Sequence, residues 1–200
     1  MGMRATSATR YQMRVWCVAF VMWALVVVGA ASAAELAGIT MPESISVGEK
    51  TLVLNGLGLR EATFLKFDVF VGGLYLEQKT HDPNKIIQSQ QMKQVAMHFV
   101  RNVDAEDLRN AWTKGFEKNV GGNFATLSDR VDQLNGWMAK MQVGDRMTFS
   151  FDRNGVDVNV KGSQRGTISG KDFSRAMLSI WFGPKPPNEG LKRGMLGVER

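Results

Sequence analysis

Residues 64–76 read FLKFDVFVGGLYL, and no other stretch limits the fold as strongly. Bulky residues alternate along it: Leu65, Phe67, Val69 and Val71 share one face of an extended chain, while Phe64, Lys66, Asp68 and Phe70 share the other. One face is expected to be core and the other mixed. Two similar stretches flank it, 49–57 (EKTLVLNGL) and 92–100 (MKQVAMHFV), so the first half of the chain reads as strands.

The period then changes. Asp104 is placed to cap a helix over 104–119, with Leu108, Ala111, Trp112, Gly115 and Phe116 at helical spacing, and Gly121 and Gly122 end it. A second helix is expected from near Ser128, striped by Val131, Leu134, Trp137, Met138 and Met141. Met147, Phe149 and Phe151 next alternate into a turn at Arg153, Asn154 and Gly155. Val156, Val158 and Val160 alternate back out of it, so this segment is a hairpin. A strand around 166–170 leads into a helix carrying Phe173, Ala176, Met177, Ile180 and Trp181, which Gly183, Pro184, Pro186 and Pro187 terminate. Strands, two helices, further strands and a last helix describe an α+β domain with a mainly antiparallel open sheet.

The formal charge of +6 reads at first as a nucleic-acid signal. Its placement says otherwise. Arg4, Arg10 and Arg14 sit in an acid-free start, and without them 22 basic residues face 19 acidic ones with no basic run. The fourteen apolar residues 15–28 (VWCVAFVMWALVVV) follow, then Gly29, Ala30, Ala31, Ser32, Ala33 and Ala34. This is the order of a secretory signal, with Ala31 and Ala33 forming an A-x-A site. Residues 1–33 are therefore expected to be a signal peptide and 34–200 one exported domain, periplasmic or secreted, with no membrane contact after cleavage. The rival reading is a retained anchor, since twenty uncharged residues approach a bilayer span. Cys17 is the single cysteine and lies in this segment, so the mature chain has no thiol for disulfide, nucleophile or metal.

Familiar catalytic patterns are missing. His81 and His98 are the two histidines and form no H-E-x-x-H pair; His98 reads as a half-buried sheet residue, and His81, before Asp82 and Pro83, as loop. Gly56-Leu57-Gly58-Leu59-Arg60-Glu61 lacks the third glycine of a dinucleotide loop, and no serine has a G-x-S-x-G setting. No metal, nucleotide or other cofactor is expected.

The pair formed by Gly56-Leu57-Gly58-Leu59-Arg60 and Phe67-Asp68-Val69-Phe70-Val71-Gly72-Gly73-Leu74-Tyr75-Leu76 resembles the chalcone isomerase family, in particular its exported bacterial isomerase-like branch. The resemblance implies an open sheet with helices on one face and a ligand cleft between them. It also implies a chemistry. In the plant isomerases an arginine and a strand threonine, with tyrosine, lysine and asparagine on the first long helix, cyclise a chalcone. Arg60 matches the arginine. The threonine position falls at or near Phe70, and the helix positions fall near Asp107, Asn110 and Lys114, so most of the pattern is replaced. Tyr75 is the single tyrosine after residue 34 and already belongs to the G-L-Y-L element. The non-enzymatic plant relatives hold a fatty acid by the same arginine and a strand tyrosine, here also replaced by Phe70.

Arg60, Phe70, Asn110 and Lys114 are thus the candidate ligand-binding residues, each with a plainer alternative. Arg60 would otherwise pair with Glu61 or stand in water, Phe70 would be core, and Asn110 and Lys114 would be the solvated face of their helix. No catalytic residue is assigned. Binding of a small amphipathic partner, a fatty acid or a flavonoid-like acid, ranks first, because the polar groups an isomerase places where charge develops are missing. Isomerase or intramolecular lyase chemistry and a ligand-free envelope interaction protein are the alternatives.

Overall fold

The central alternating segment forms strand β5 (Phe67–Leu76), paired antiparallel with β4 (Lys50–Ala62) on one side and β6 (Lys93–Phe99) on the other. The structure, a computed structural model, describes residues 33–62 and 67–198. The expected signal peptide lies outside the described residues except for Ala33, as do Phe64, Leu65 and Lys66.

Adding β3 (Ser44–Val47), β7 (Arg146–Phe151), β8 (Gly155–Val160) and β9 (Ser163–Ser169) completes a seven-stranded sheet in plain chain order, β3 to β9, with every neighbour antiparallel. Two shorter strands, β1 (Ala33–Leu36) and β2 (Ile39–Pro42), make a separate hairpin. Helix α1 (Pro83–Gln88) joins β5 to β6. Helix α2 (Ala105–Val120), a 3-10 segment (Gly121–Thr126) and α3 (Ser128–Gly136) join β6 to β7, and α4 (Lys171–Phe182) and α5 (Glu189–Met195) follow β9. The α+β class and the antiparallel open sheet expected from the sequence are what the chain forms.

Register decides where the core lies. Phe70, Leu74 and Leu76 of β5 share a face with Val95, Met97 and Phe99 of β6, and against this face pack Leu108, Trp112 and Phe116 of α2 and Phe173, Met177 and Trp181 of α4. Trp112 lies edge-on to both Phe149 and Trp181, at 5.2 and 5.5 Å between ring centroids, a favoured aromatic geometry. The opposite face is buried too. Leu52, Leu54 and Tyr75 pack there with Ala34, Ile45, Leu57 and Ala96. The expectation of one core face and one mixed face is therefore corrected: β5 is apolar on both sides, as a central strand covered twice must be, and among its described residues only Phe67 and Asp68 at its start are exposed.

Two helices have starts the sequence reading passed over. Asp82, next to the loop residue His81, caps α1 through Oδ1, which accepts from the backbone of Asn84 and Lys85 at 2.9 and 3.4 Å, and Pro83 opens the helix. Helix α5 starts after Asn188. Asp104 precedes α2 as expected, yet its side chain makes no cap bond and instead meets Lys140 at 3.0 Å. The stripe of α3 outlasts its helix: Met138 and Met141 are buried beyond Gly136, Met141 by bridging to Val103.

Candidate functional site

The G-x-G element of β4 is a seat for α5. A Cβ on Gly56 would stand 2.2 Å from the Gly194 carbonyl oxygen, one on Gly58 2.2 Å from that of Leu191, and one on Gly194 2.2 Å from that of Leu57. Only hydrogen fits between these backbones, so the glycines exist for helix–strand contact. Leu191 and Met195 then reach across to Gly72 of β5, where an added Cβ would meet each at 3.1 Å. Polar clamps complete the seat. The register of β4 skips Asn55, which is buried there; its Nδ2 donates to Met195 O at 3.0 Å and its Oδ1 accepts from Thr80 N at 2.9 Å. Farther along, Asn188 Nδ2 donates to Leu59 O at 3.0 Å, and Lys192 Nζ donates to Gly183 O at 2.7 Å.

Arg60 continues the same face. It follows Gly56 and Gly58 at period two and sits directly opposite Phe70, whose ring lies 5.7 Å from that of Phe99. The structure thus brings Arg60 and Phe70 together as cross-strand neighbours on the helix-covered side. Phe70 is 7% exposed and Arg60 half-buried. The guanidinium donates to the backbone carbonyl of Glu61, not to its carboxylate, and none of the ion pairs among the described residues includes it. Burial holds its pKa below the ordinary arginine value, the signature of a cation partly removed from water without a compensating anion.

Asn110 and Lys114 lie elsewhere in this arrangement. They stand one turn apart on α2, both exposed, while Leu108, Trp112 and Phe116 carry the buried stripe. Tyr75 is on the far side of the sheet from Arg60. Its hydroxyl donates to Pro42 O at 3.1 Å, and burial pushes its pKa up to about 12. Clefts among the described residues include one of about 650 Å³ beside α1 and the end of β5 and one of about 400 Å³ between α1, the 3-10 segment and α4. Neither is lined by Arg60 or Phe70. Among the described residues no group of three or more His, Cys, Asp or Glu is placed to hold a metal, and no helix is long and apolar enough to cross a membrane.

Asn188, bonded to the carbonyl of the residue before Arg60, is the polar side chain at this strand end that the sequence does not announce. The signal was present, an asparagine followed by Glu189 with Leu191 and Met195 spaced one turn apart, but Gly190 and Gly194 mask so short a helix.

An antiparallel meander with helices on one face, and a half-buried arginine where its central hairpin meets the C-terminal helix, defines a recognisable class. The chain belongs to the chalcone isomerase-like family, whose sequence pattern matches residues 33–197. The crystal structure of a fatty-acid binding protein from Arabidopsis thaliana is similar to it in fold, with a TM-score of 0.66 and 16% identity over 82% of this chain and 96% of that one. No curated protein matches the sequence.

Proposed function

We propose that this chain is an exported, non-catalytic binder of a small amphipathic carboxylate such as a fatty acid, with Arg60 holding the acid group. The single observation that carries the reading is the half-buried guanidinium of Arg60, on the core side of the sheet and without a carboxylate among the described residues. A planar fork of this kind takes a carboxylate through two charge-assisted hydrogen bonds, worth ~1.5 to 3 kcal/mol net. Phe70 and Phe99 supply apolar surface beside it, and each buried methylene of a tail adds ~0.8 kcal/mol before ordering costs. The name of the similar Arabidopsis protein supports the same ligand class. Export follows from the basic start, apolar stretch and small-residue site of residues 1–34.

An isomerase draws less support. Its mechanism needs a phenol or equivalent acid near the arginine, whereas Tyr75 lies across the sheet with its hydroxyl engaged by Pro42. The ligand-free interaction protein is favoured by one specific observation, that the clefts of about 650 and 400 Å³ both lie away from Arg60. Binding of dodecanoate to delipidated protein, followed by calorimetry, separates the readings. Uptake that falls at least tenfold in Arg60→Gln, with a melting temperature within about 2 °C of the parent, is expected. Absence of uptake, or uptake indifferent to Arg60, overturns it.

A further inference from the structure

Helix α5 runs back along β4 in a fixed register. Gly194 lies against Leu57, and Leu191 lies against Gly58. One turn earlier, Asn188 reaches Leu59, the residue next to Arg60. The orientation of its amide is set, because Nδ2 donates to the Leu59 carbonyl at 3.0 Å and a flipped amide would put oxygen against oxygen. Asn188 Oδ1 is thereby left closed off from solvent with no donor. Lys192 donates to Gly183 O and Arg60 Nη1 to Glu61 O, neither of them to Asn188 Oδ1, and the rest of the Arg60 fork has no hydrogen-bond acceptor among the described residues. Among the described residues, the strand end therefore presents a cation with no carboxylate partner and, at the carbonyl of the preceding residue, a buried amide whose oxygen has no donor.

A plain carboxylate answers only half of this. Ionised, it accepts hydrogen bonds and gives none, so it matches Arg60 and leaves Asn188 Oδ1 unsatisfied. We propose that the ligand is a hydroxy acid, its carboxylate on Arg60 and a hydroxyl one or two carbons away donating to Asn188 Oδ1. An ammonium would also donate, but it would stand next to the half-buried Arg60 cation, which disfavours it. The inference rests on the reading of Arg60 as a carboxylate site. Sites built to pair a ligand hydroxyl discriminate strongly against the analogue lacking it, because a buried polar group is then left unpaired.

The test compares dodecanoate with 2- and 3-hydroxydodecanoate, by calorimetry, on delipidated protein from cells expressing the full chain. One hydroxy acid is expected to bind at least tenfold more tightly than dodecanoate, and Asn188→Ala is expected to bring that ratio to about one. Equal affinities for all three acids in the parent overturn the hydroxyl assignment and leave the carboxylate site standing. A preference that survives Asn188→Ala overturns the role of Asn188. Failure of every acid to bind removes both readings together. Should Asn188→Ala not fold, the side-chain amide resonance of Asn188 in the parent decides: it shifts with the hydroxy acid and not with dodecanoate, and the reverse overturns the proposal.

Discussion

Lys93 offers a sharp test of how this core is assembled. It stands on β6 at period two with Val95, Met97 and Phe99, so its stem enters the helix-side core, and it is 2% exposed. Its ammonium donates to Ser89 O at 2.8 Å, the carbonyl just past the end of α1. Burial lowers its pKa from 10.5 to about 8, with the charge of Glu77 opposing. At 1.36 kcal/mol per tenfold change in proton affinity, the charged form costs the fold about 3 kcal/mol. The sign follows from linkage. Below pH 8 both folded and unfolded chains are protonated and the cost is fully present. Between about 8 and 10.5 the folded chain has released a proton that the unfolded chain keeps, so stability rises with pH through that window. Lys93→Met keeps the stem and removes the charge, at the expense of an unpaired Ser89 carbonyl worth about 1 to 3 kcal/mol. Near pH 7 the variant should equal the parent or exceed it by up to about 2 kcal/mol. Urea titrations at intervals from pH 7 to 10.5, read by tryptophan fluorescence and subtracted, isolate this group from other alkaline titrations. The parent should gain on the variant by about 3 kcal/mol across the range. Parallel curves would mean that the ammonium is as well solvated in the fold as in the open chain, and the placement of Lys93 in the core would be wrong.

Gly58→Ala puts a methyl group 2.2 Å from the Leu191 carbonyl, which α5 can relieve only by lifting, so a loss of about 2 to 3 kcal/mol is expected by urea denaturation; a loss under 0.5 would unseat the helix from β4. The Arg130 guanidinium, at 2.9 and 2.6 Å from Asp172 Oδ1 and Oδ2, holds that carboxyl down from 3.8 to about 2. Its contribution is present above pH 3.8 and fades as pH falls through 2. Since Asp172 is largely exposed, Asp172→Asn should cost no more than about 1 kcal/mol at neutral pH, with the difference closing in acid; a difference constant down to pH 2 would contradict the pairing.

The architecture could be read from the sequence wherever one period ran uninterrupted. The alternation of 147–160 and the stripe Leu108, Trp112, Phe116 each have one physical solution, and the chain adopts it. Faces were harder. Phe70 and Val71 point to opposite sides of β5, and both are buried; the β1–β2 hairpin lies on the side the helices leave open, with Met41 against Gly73 and Pro42 O accepting from the Tyr75 hydroxyl. Four-residue strands such as β1 and β2 carry too little pattern to announce that cover. The site divided along the same line. Arg60 and Phe70 lie on one hairpin, where register alone makes them neighbours, whereas Asn110 and Lys114 were placed by family analogy across a helix whose own period turns them to solvent.

The glycines carry the connection between packing and function. Gly56 and Gly58 lack the third glycine of a dinucleotide loop, and their spacing has a different physical origin, the close approach of α5. That helix contains Gly190 and Gly194, which lower its intrinsic propensity, and it holds its place through backbone contact, two buried side chains and the amides of Asn55 and Asn188. Its side-chain anchorage is two buried residues, Leu191 and Met195, against three in α2 and eight in α4. An acyl tail entering beside Phe70 would meet a filled core toward α2 and α4, where Trp112, Phe149 and Trp181 interlock. Room for a ligand is therefore most cheaply made by displacing α5 from its glycine seat, and this couples occupancy to helix docking. Ligand binding should then change hydrogen-exchange protection in residues 189–195 more than in α2 or α4, and protection changes centred on α2 would place the entry route elsewhere.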